Sequence, residues 1–170
     1  MRKMIVVYLL VCMVTAASQS SFYSISKSVL QQIKKEYGVS AIRRFKALEA
    51  LLNSAAALPE TEKLAAVNDF FNKVRWMSDE KVWGQKDYWA TPLEFLGRNK
   101  GDCEDFVIAK YTALKRLGVP DSKLYLTYAE AIKYRQRHMV LSYYKTPGSV
   151  PLILDNINFK LLPGTERSDL

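Results

Sequence analysis

Apolar residues recur at helical spacing through the first two thirds of the chain and gather into short, strand-like runs afterwards. Between Ser24 and Tyr37, Ile25, Val29 and Ile33 fall on one face, and Gly38 closes the segment. A second helix is predicted from Val39 to Leu58, with Ile42, Phe45, Leu48 and Leu52 in line. Pro59-Glu60 opens a third, whose stripe is Leu64, Val67, Phe71 and Val74. Stripes of this kind are core faces, because a helix buries the side on which every third or fourth residue is apolar. The period breaks from Arg75 to Ala90, where Trp76, Trp83, Tyr88 and Trp89 either anchor a loop or wall a groove. Thr91-Pro92-Leu93-Glu94 then reads as a capping box with proline at the first helical position, starting a short helix that ends near Gly97. After the loop Arg98–Gly101, Asp102 is placed to cap a further helix carrying Phe106, Val107, Leu114 and Leu117, with Lys115, Arg116 and Gly118 at its end.

Beyond Pro120 the grammar changes. Residues 124–128, 138–144 and 150–155, with 159–161 a weaker fourth, are rich in aromatic and aliphatic side chains, and Thr146-Pro147-Gly148-Ser149 is a turn between two of them. Helices followed by an antiparallel meander define an α+β domain. There is no internal repeat or low-complexity linker, so residues 18–170 are expected to form one unit.

The first residues are set apart from that unit. Arg2 and Lys3 precede an uncharged run from Met4 to Ala17, and Thr15-Ala16-Ala17-Ser18 supplies small residues for cleavage. Residues 1–17 therefore read as a secretory signal peptide, too short to serve as a membrane span. A lipoprotein reading of Leu9–Cys12 is weaker, because Val11 stands where a small residue is expected. Cleavage removes two of the 25 basic residues, so the net charge falls from +8 to +6. It also removes Cys12, one of two cysteines, leaving Cys103 with no internal disulfide partner. The remaining basic residues are scattered and no nucleic-acid motif is present, so they read as solvated helix faces.

Candidate chemistry centres on Gly101-Asp102-Cys103-Glu104-Asp105-Phe106. A cysteine at the first turn of a helix meets unpaired N–H groups and the positive end of the dipole, which favour a thiolate; a buried, inert cysteine is the alternative. A cysteine nucleophile needs a base, and the base needs an orienting group. His138 is the only histidine, at the head of a predicted strand, and Asp155 closes the next apolar strand, where a carboxylate can reach the imidazole Nδ1–H. Asn156 competes for that role, but alternation along a strand lets only one of the two neighbours face His138. Three acids, Asp102, Glu104 and Asp105, crowd the cysteine and would raise its pKa unless a cation such as Ca2+ neutralised them. On an ideal helix, positions 102 and 105 share a face that 104 does not, so further ligands would be needed; the plain alternative is that these acids only cap the helix.

The blocks Gly101–Phe106 with Ala109-Lys110-Tyr111, His138-Met139-Val140-Leu141 and Ile153-Leu154-Asp155-Asn156, with Trp89-Ala90-Thr91-Pro92 upstream, resemble the bacterial transglutaminase-like cysteine proteinases, the LapG-type periplasmic proteases among them. The resemblance runs from about Trp83 to Leu170, where members of the family are expected to continue for some residues. It implies a papain/transglutaminase-like core in which the nucleophile-bearing helix packs on the antiparallel sheet. It further implies a Cys103–His138–Asp155 triad, and Ca2+ beside the nucleophile at Asp102, Glu104 and Asp105. As a family property, it implies periplasmic cleavage of a large repeat adhesin near its N-terminus, with release of the adhesin and biofilm dispersal. The implied regulator is an inner-membrane cyclic di-GMP receptor that sequesters the protease. A transglutaminase-type acyl transferase and an inactive binding module for an adhesin or receptor are the alternative functions.

Overall fold

In the computed structural model, residues 23–170 are described. Residues 1–17, read above as a signal peptide, and with them Cys12, lie outside the described residues.

Among the described residues six α-helices and six strands follow one another; the pattern predicts five of the helices and the later strands, but not the small elements at residues 75–83 and 100–101. Helix α1 spans Lys27–Tyr37, capped by Ser26, whose Oγ accepts the Val29 N–H at 3.3 Å. It turns directly into α2, Val39–Ala55, through Gly38, whose φ of 82° lies in the region open to glycine. Only Ile33 of the expected α1 stripe is fully buried, and Val29 is exposed. Helix α2 buries Ala41, Phe45, Leu52 and Ala55, and ends three residues before the expected Leu58. Helix α3, Glu60–Phe71, buries Leu64, Val67 and Phe71 as its stripe requires, with Val74 just beyond it. The same helix also buries Asn68, and Asn72 at its C-cap is buried too.

The stretch without periodicity is ordered by two small elements. Strand β1, Arg75–Trp76, pairs in parallel with β2, Lys100–Gly101, and a five-residue helix α4, Asp79–Trp83, lies between them in sequence. Trp83 stacks against Tyr88 at 4.4 Å and under the Arg98 guanidinium at 4.3 Å, so these aromatics anchor the segment. Trp76 and Trp89 remain half-exposed. Helix α5, Pro92–Arg98, starts with the predicted capping box and ends at Asn99 in the left-handed region. Arg44 closes its far end by donating to the Leu96 and Gly97 carbonyls.

Helix α6, Cys103–Arg116, is the axis of the fold. The expected stripe of Phe106, Val107, Leu114 and Leu117 is buried, but so are Glu104, Asp105 and Lys110. It is not a half-exposed amphipathic helix: α3 and α5 pack on it from one side and strand β4 from the other. The sheet has the antiparallel order β3 (Leu124–Ala131), β4 (Gln136–Tyr143), β5 (Leu152–Leu154), β6 (Leu162–Pro163). Leu141 pairs with Leu154, which leaves His138 and Asp155 at the same end of the β4–β5 ladder. No helix among the described residues is long and apolar enough to cross a membrane.

Candidate active site

Cys103 occupies the first position of α6, partly buried, with Asp102 as the extended N-cap residue. Gly101 is required for that approach. A Cβ at position 101 would collide with the Asp105 carboxylate and come within 2.6 Å of the Phe95 ring. The Cys103 Sγ donates to the Glu104 carboxylate at 3.2 Å, and the Met139 N–H on β4 acts in the opposite sense by stabilising the thiolate. For the protein atoms alone, burial first and then the bond to and charge of Glu104 push the thiol from 9.0 up to about 12. A helix N-terminus contributes about 0.5–1 kcal/mol, which moves a pKa by less than about one. The expected dipole activation is therefore outweighed by burial and by the acids at the same turn.

His138 and Asp155 are both buried, and their side chains meet, Nε2 to Oδ1, at 2.7 Å. The contact uses Nε2, not the Nδ1 expected from sequence, so Nδ1 is the nitrogen left free for other chemistry. Asp155, not Asn156, faces the imidazole. Its Oδ1 also accepts the Asn156 and Ile157 N–H groups at 2.6 and 3.0 Å, and its Oδ2 accepts Arg167 Nη2 at 2.5 Å. Burial by itself would raise the carboxyl pKa, but His138, the Ile157 amide and Arg167 together hold it well below the usual range. Asn72 Nδ2 binds the Asp155 carbonyl at 2.8 Å, and Asn68 Nδ2 binds that of Phe159, so α3 pins the loop after β5.

The acids separate into two groups. Asp105 is fully buried and both its oxygens face backbone donors: Ala90 N–H at 2.8 Å and, as half of a capping box, Asp102 N–H at 3.4 Å. Burial pushes its pKa up to about 7. Asp102 and Glu104 instead come together with Asp79 from the start of α4, with one carboxylate oxygen of each within 4.8 Å of the others. Asp79 Oδ2 accepts the Tyr88 N–H at 2.6 Å, while Asp79 Oδ1 and Asp102 Oδ1 are buried with no hydrogen-bond partner among the described residues. Burial, then the hydrogen bond and charge of Glu104, raise Asp102 from 3.8 to about 8, and burial raises Asp79. Oxygens bound to one Ca2+ at 2.3–2.6 Å lie at most about 5 Å apart, so the cluster has the donor type and spacing for that ion. Asp79, Arg167 and Asn72 were not identifiable from sequence. Asp79 looks like an ordinary first-turn acid, and Arg167 lies outside any periodic segment.

A cysteine at the start of a central helix, packed on an antiparallel sheet that carries a buried His–Asp pair, defines a transglutaminase-like cysteine protease. The chain matches the family of bacterial transglutaminase-like cysteine proteinases (BTLCP) over residues 47–168, and it belongs to that family. Among solved structures it is similar to LapG of Legionella pneumophila in its calcium-bound form, at 41% identity with a TM-score of 0.75, covering 86% of this chain and 81% of that one. The EGTA-treated form of the same protein gives the same identity and TM-score, with 78% of that chain covered. Comparison with curated protein sequences gave no match.

Proposed function

We propose that the protein is a calcium-dependent periplasmic cysteine endopeptidase that cuts a large cell-surface adhesin near its N-terminus, releasing it and dispersing a biofilm. We also propose that an inner-membrane cyclic di-GMP receptor sequesters it. The observation that carries the protease chemistry is the buried 2.7 Å contact between His138 Nε2 and Asp155 on the sheet that packs against the Cys103 helix. Family membership and the likeness to LapG support the adhesin substrate class, and the receptor is proposed from the resemblance of the sequence motifs alone.

With Nε2–H donated to Asp155, the lone pair of His138 Nδ1 takes the Cys103 thiol proton, and the sulfur attacks the scissile carbonyl. The oxyanion is expected to be met by backbone N–H groups at the start of α6. Collapse of the tetrahedral intermediate returns the proton from Nδ1 to the leaving amine and leaves a thioester on Cys103. Water, deprotonated by the same nitrogen, then releases the acid product. Asp155 holds the ring in the required tautomer and stabilises the imidazolium.

Asp79, Asp102 and Glu104 would hold calcium, while the backbone bonds of Asp105 give that residue the role of fixing the first turn. Bound there, the ion supplies positive charge that offsets the acids beside the nucleophile. The test is to incubate the purified protein with the organism's outer-membrane fraction and identify the polypeptide released. Release by the wild type, abolished in Cys103→Ala and by EGTA and restored by Ca2+, is the expected result. Release unaffected in Cys103→Ala would end the protease reading for this substrate.

A further inference from the structure

Arg167 sits twelve residues beyond Asp155, after the short 3-10 turn Gly164–Glu166, yet its guanidinium is as buried as the carboxylate it meets, at 1% and 0% side-chain exposure. Nη2 bonds Asp155 Oδ2 at 2.5 Å and Asp169 Oδ2 at 2.7 Å, and Nε bonds Asp169 Oδ1 at 2.8 Å. A buried pair of this kind is a poor source of stability, because desolvation of both charges offsets their attraction. Its use here lies in the division of labour at Asp155. Oδ1 is taken by His138 and two backbone amides. Oδ2 has Arg167 as its sole hydrogen-bond partner among the described residues. Without that donor, Oδ2 is a buried acceptor left unpaired, and the carboxylate is free to turn away from the ring or to take up a proton.

We propose that Arg167 is a positioning residue for the reaction: by clamping Oδ2 it fixes the Asp155 carboxylate, and through it the Nε2–H tautomer of His138. The inference rests on the reading of Asp155 as the group that orients His138. The other titratable groups facing Asp155 are His138 from β4 and Lys110 from α6; the neutral Asn72 approaches from the end of α3, and Asp169 faces Arg167 from the outer side. Among the described residues Arg167 hydrogen-bonds Asp155 and Asp169 and neither the nucleophile nor the acidic cluster, so its effect on the reaction passes through Asp155.

His138 is the single histidine of the chain, which makes its 15N imidazole resonances unambiguous. The rate of Cys103 alkylation by iodoacetamide, followed on the Cys103 peptide by mass spectrometry, reads the thiol–imidazole pair without any protein substrate. In Arg167→Met, the 15N spectrum should change from the Nε2–H tautomer to a mixture, and alkylation should slow by about tenfold, the lower end of what losing an outer partner costs a site. Arg167→Lys should recover part of the rate. In an Asp155→Asn background, Arg167→Met should cost less than about a further twofold, since both changes act on one element. If Arg167→Met does not fold, Asp169→Asn loosens the same guanidinium from its partly exposed side and should give a smaller change in the same direction. A wild-type tautomer and alkylation rate in the folded Arg167 or Asp169 variant would overturn the proposal, as would an undiminished loss in the Asp155→Asn background. Asp155→Asn with wild-type tautomer and rate would instead remove the Asp155 reading itself.

Discussion

The Asp155 end of the site and the Asp79–Asp102–Glu104 end are both built from carboxylates withdrawn from water, and they are satisfied in opposite ways. Asp155 has four donors on its two oxygens, including a guanidinium, and its pKa is held far down. The Asp79 group has two buried oxygens with no donor among the described residues, and Asp79 and Asp102 are pushed up. At one end the chain supplies its own positive charge from a residue twelve positions away. At the other it brings carboxylates together with no lysine or arginine paired to them among the described residues. The first arrangement can work on protein atoms alone, whereas the second has the character of a site completed from solution.

That contrast can be broken most severely at the self-sufficient end. Cys103→Ser and His138→Ala should each cost about 10³–10⁴ or more in the cleavage rate, with Asp155→Ala close behind, while circular dichroism stays native. Wild-type turnover in any one of them would take that residue out of the mechanism.

The solution-completed end should respond to chelation. EGTA should abolish cleavage and lower Tm by several degrees, and excess Ca2+ should restore both, since ligand at a hundred times Kd adds about 2.7 kcal/mol to the folded state. Asp79→Asn, Asp102→Asn and Glu104→Gln should each weaken Ca2+ binding by about tenfold or more in calorimetric titration. Asp105→Asn sharpens the comparison. It should lower Tm whether or not Ca2+ is present, because its bonds go to Ala90 and Asp102 amides. Undiminished calcium binding in all three cluster variants would remove the metal site.

A smaller effect is expected at Gly101, the strand residue that precedes Asp102. Gly101→Ala should cost about 1–3 kcal/mol in denaturant titration, because the added methyl overlaps the Asp105 carboxylate and the Phe95 ring. The smallest concerns Lys110, fully buried on α6 with its Nζ unpaired among the described residues. Burial lowers its pKa from 10.5 to about 7, with Asp155 and Asp69 acting against that shift. The folded state therefore binds fewer protons than the unfolded one between about pH 7 and 10.5, and stability should rise with pH across that window. Lys110→Met should stabilise most below pH 7, by roughly 1 kcal/mol or more, with the gain fading towards pH 10 in paired thermal melts. A gain independent of pH would show that the amine keeps its ordinary pKa in the core.

The site was legible from sequence to different depths at its two ends. Cys103, His138 and Asp155 could be singled out because each is either the lone residue of its type in the unit or stands at the end of an apolar run, and an enzyme of this class needs one of each. Asp79 could not, since nothing local distinguishes it from a helix-starting acid. It becomes part of the cluster only because β1 pairs with β2 and brings the start of α4 beside the start of α6. Asp105 was expected beside Asp102 and Glu104 but is turned inward by the Ala90 amide, a contact between segments fifteen residues apart.

By itself the sequence determined the longer helices and the main strands in outline, the stop at Gly38 and the cysteine at a helix start, because period, capping and turn chemistry act over a few residues. The apolar stripe it predicted accounts for only one face of α6, since a polar residue in a helical pattern ordinarily marks the solvent face, whereas here Glu104, Asp105 and Lys110 are polar and buried. Only the tertiary structure decided which nitrogen of His138 meets Asp155, which acids converge on one point and which are spent on backbone, and that Arg167 closes the far side of the dyad. These depend on side chains from separate elements meeting within hydrogen-bond distance, and no local periodicity encodes a contact made across the core.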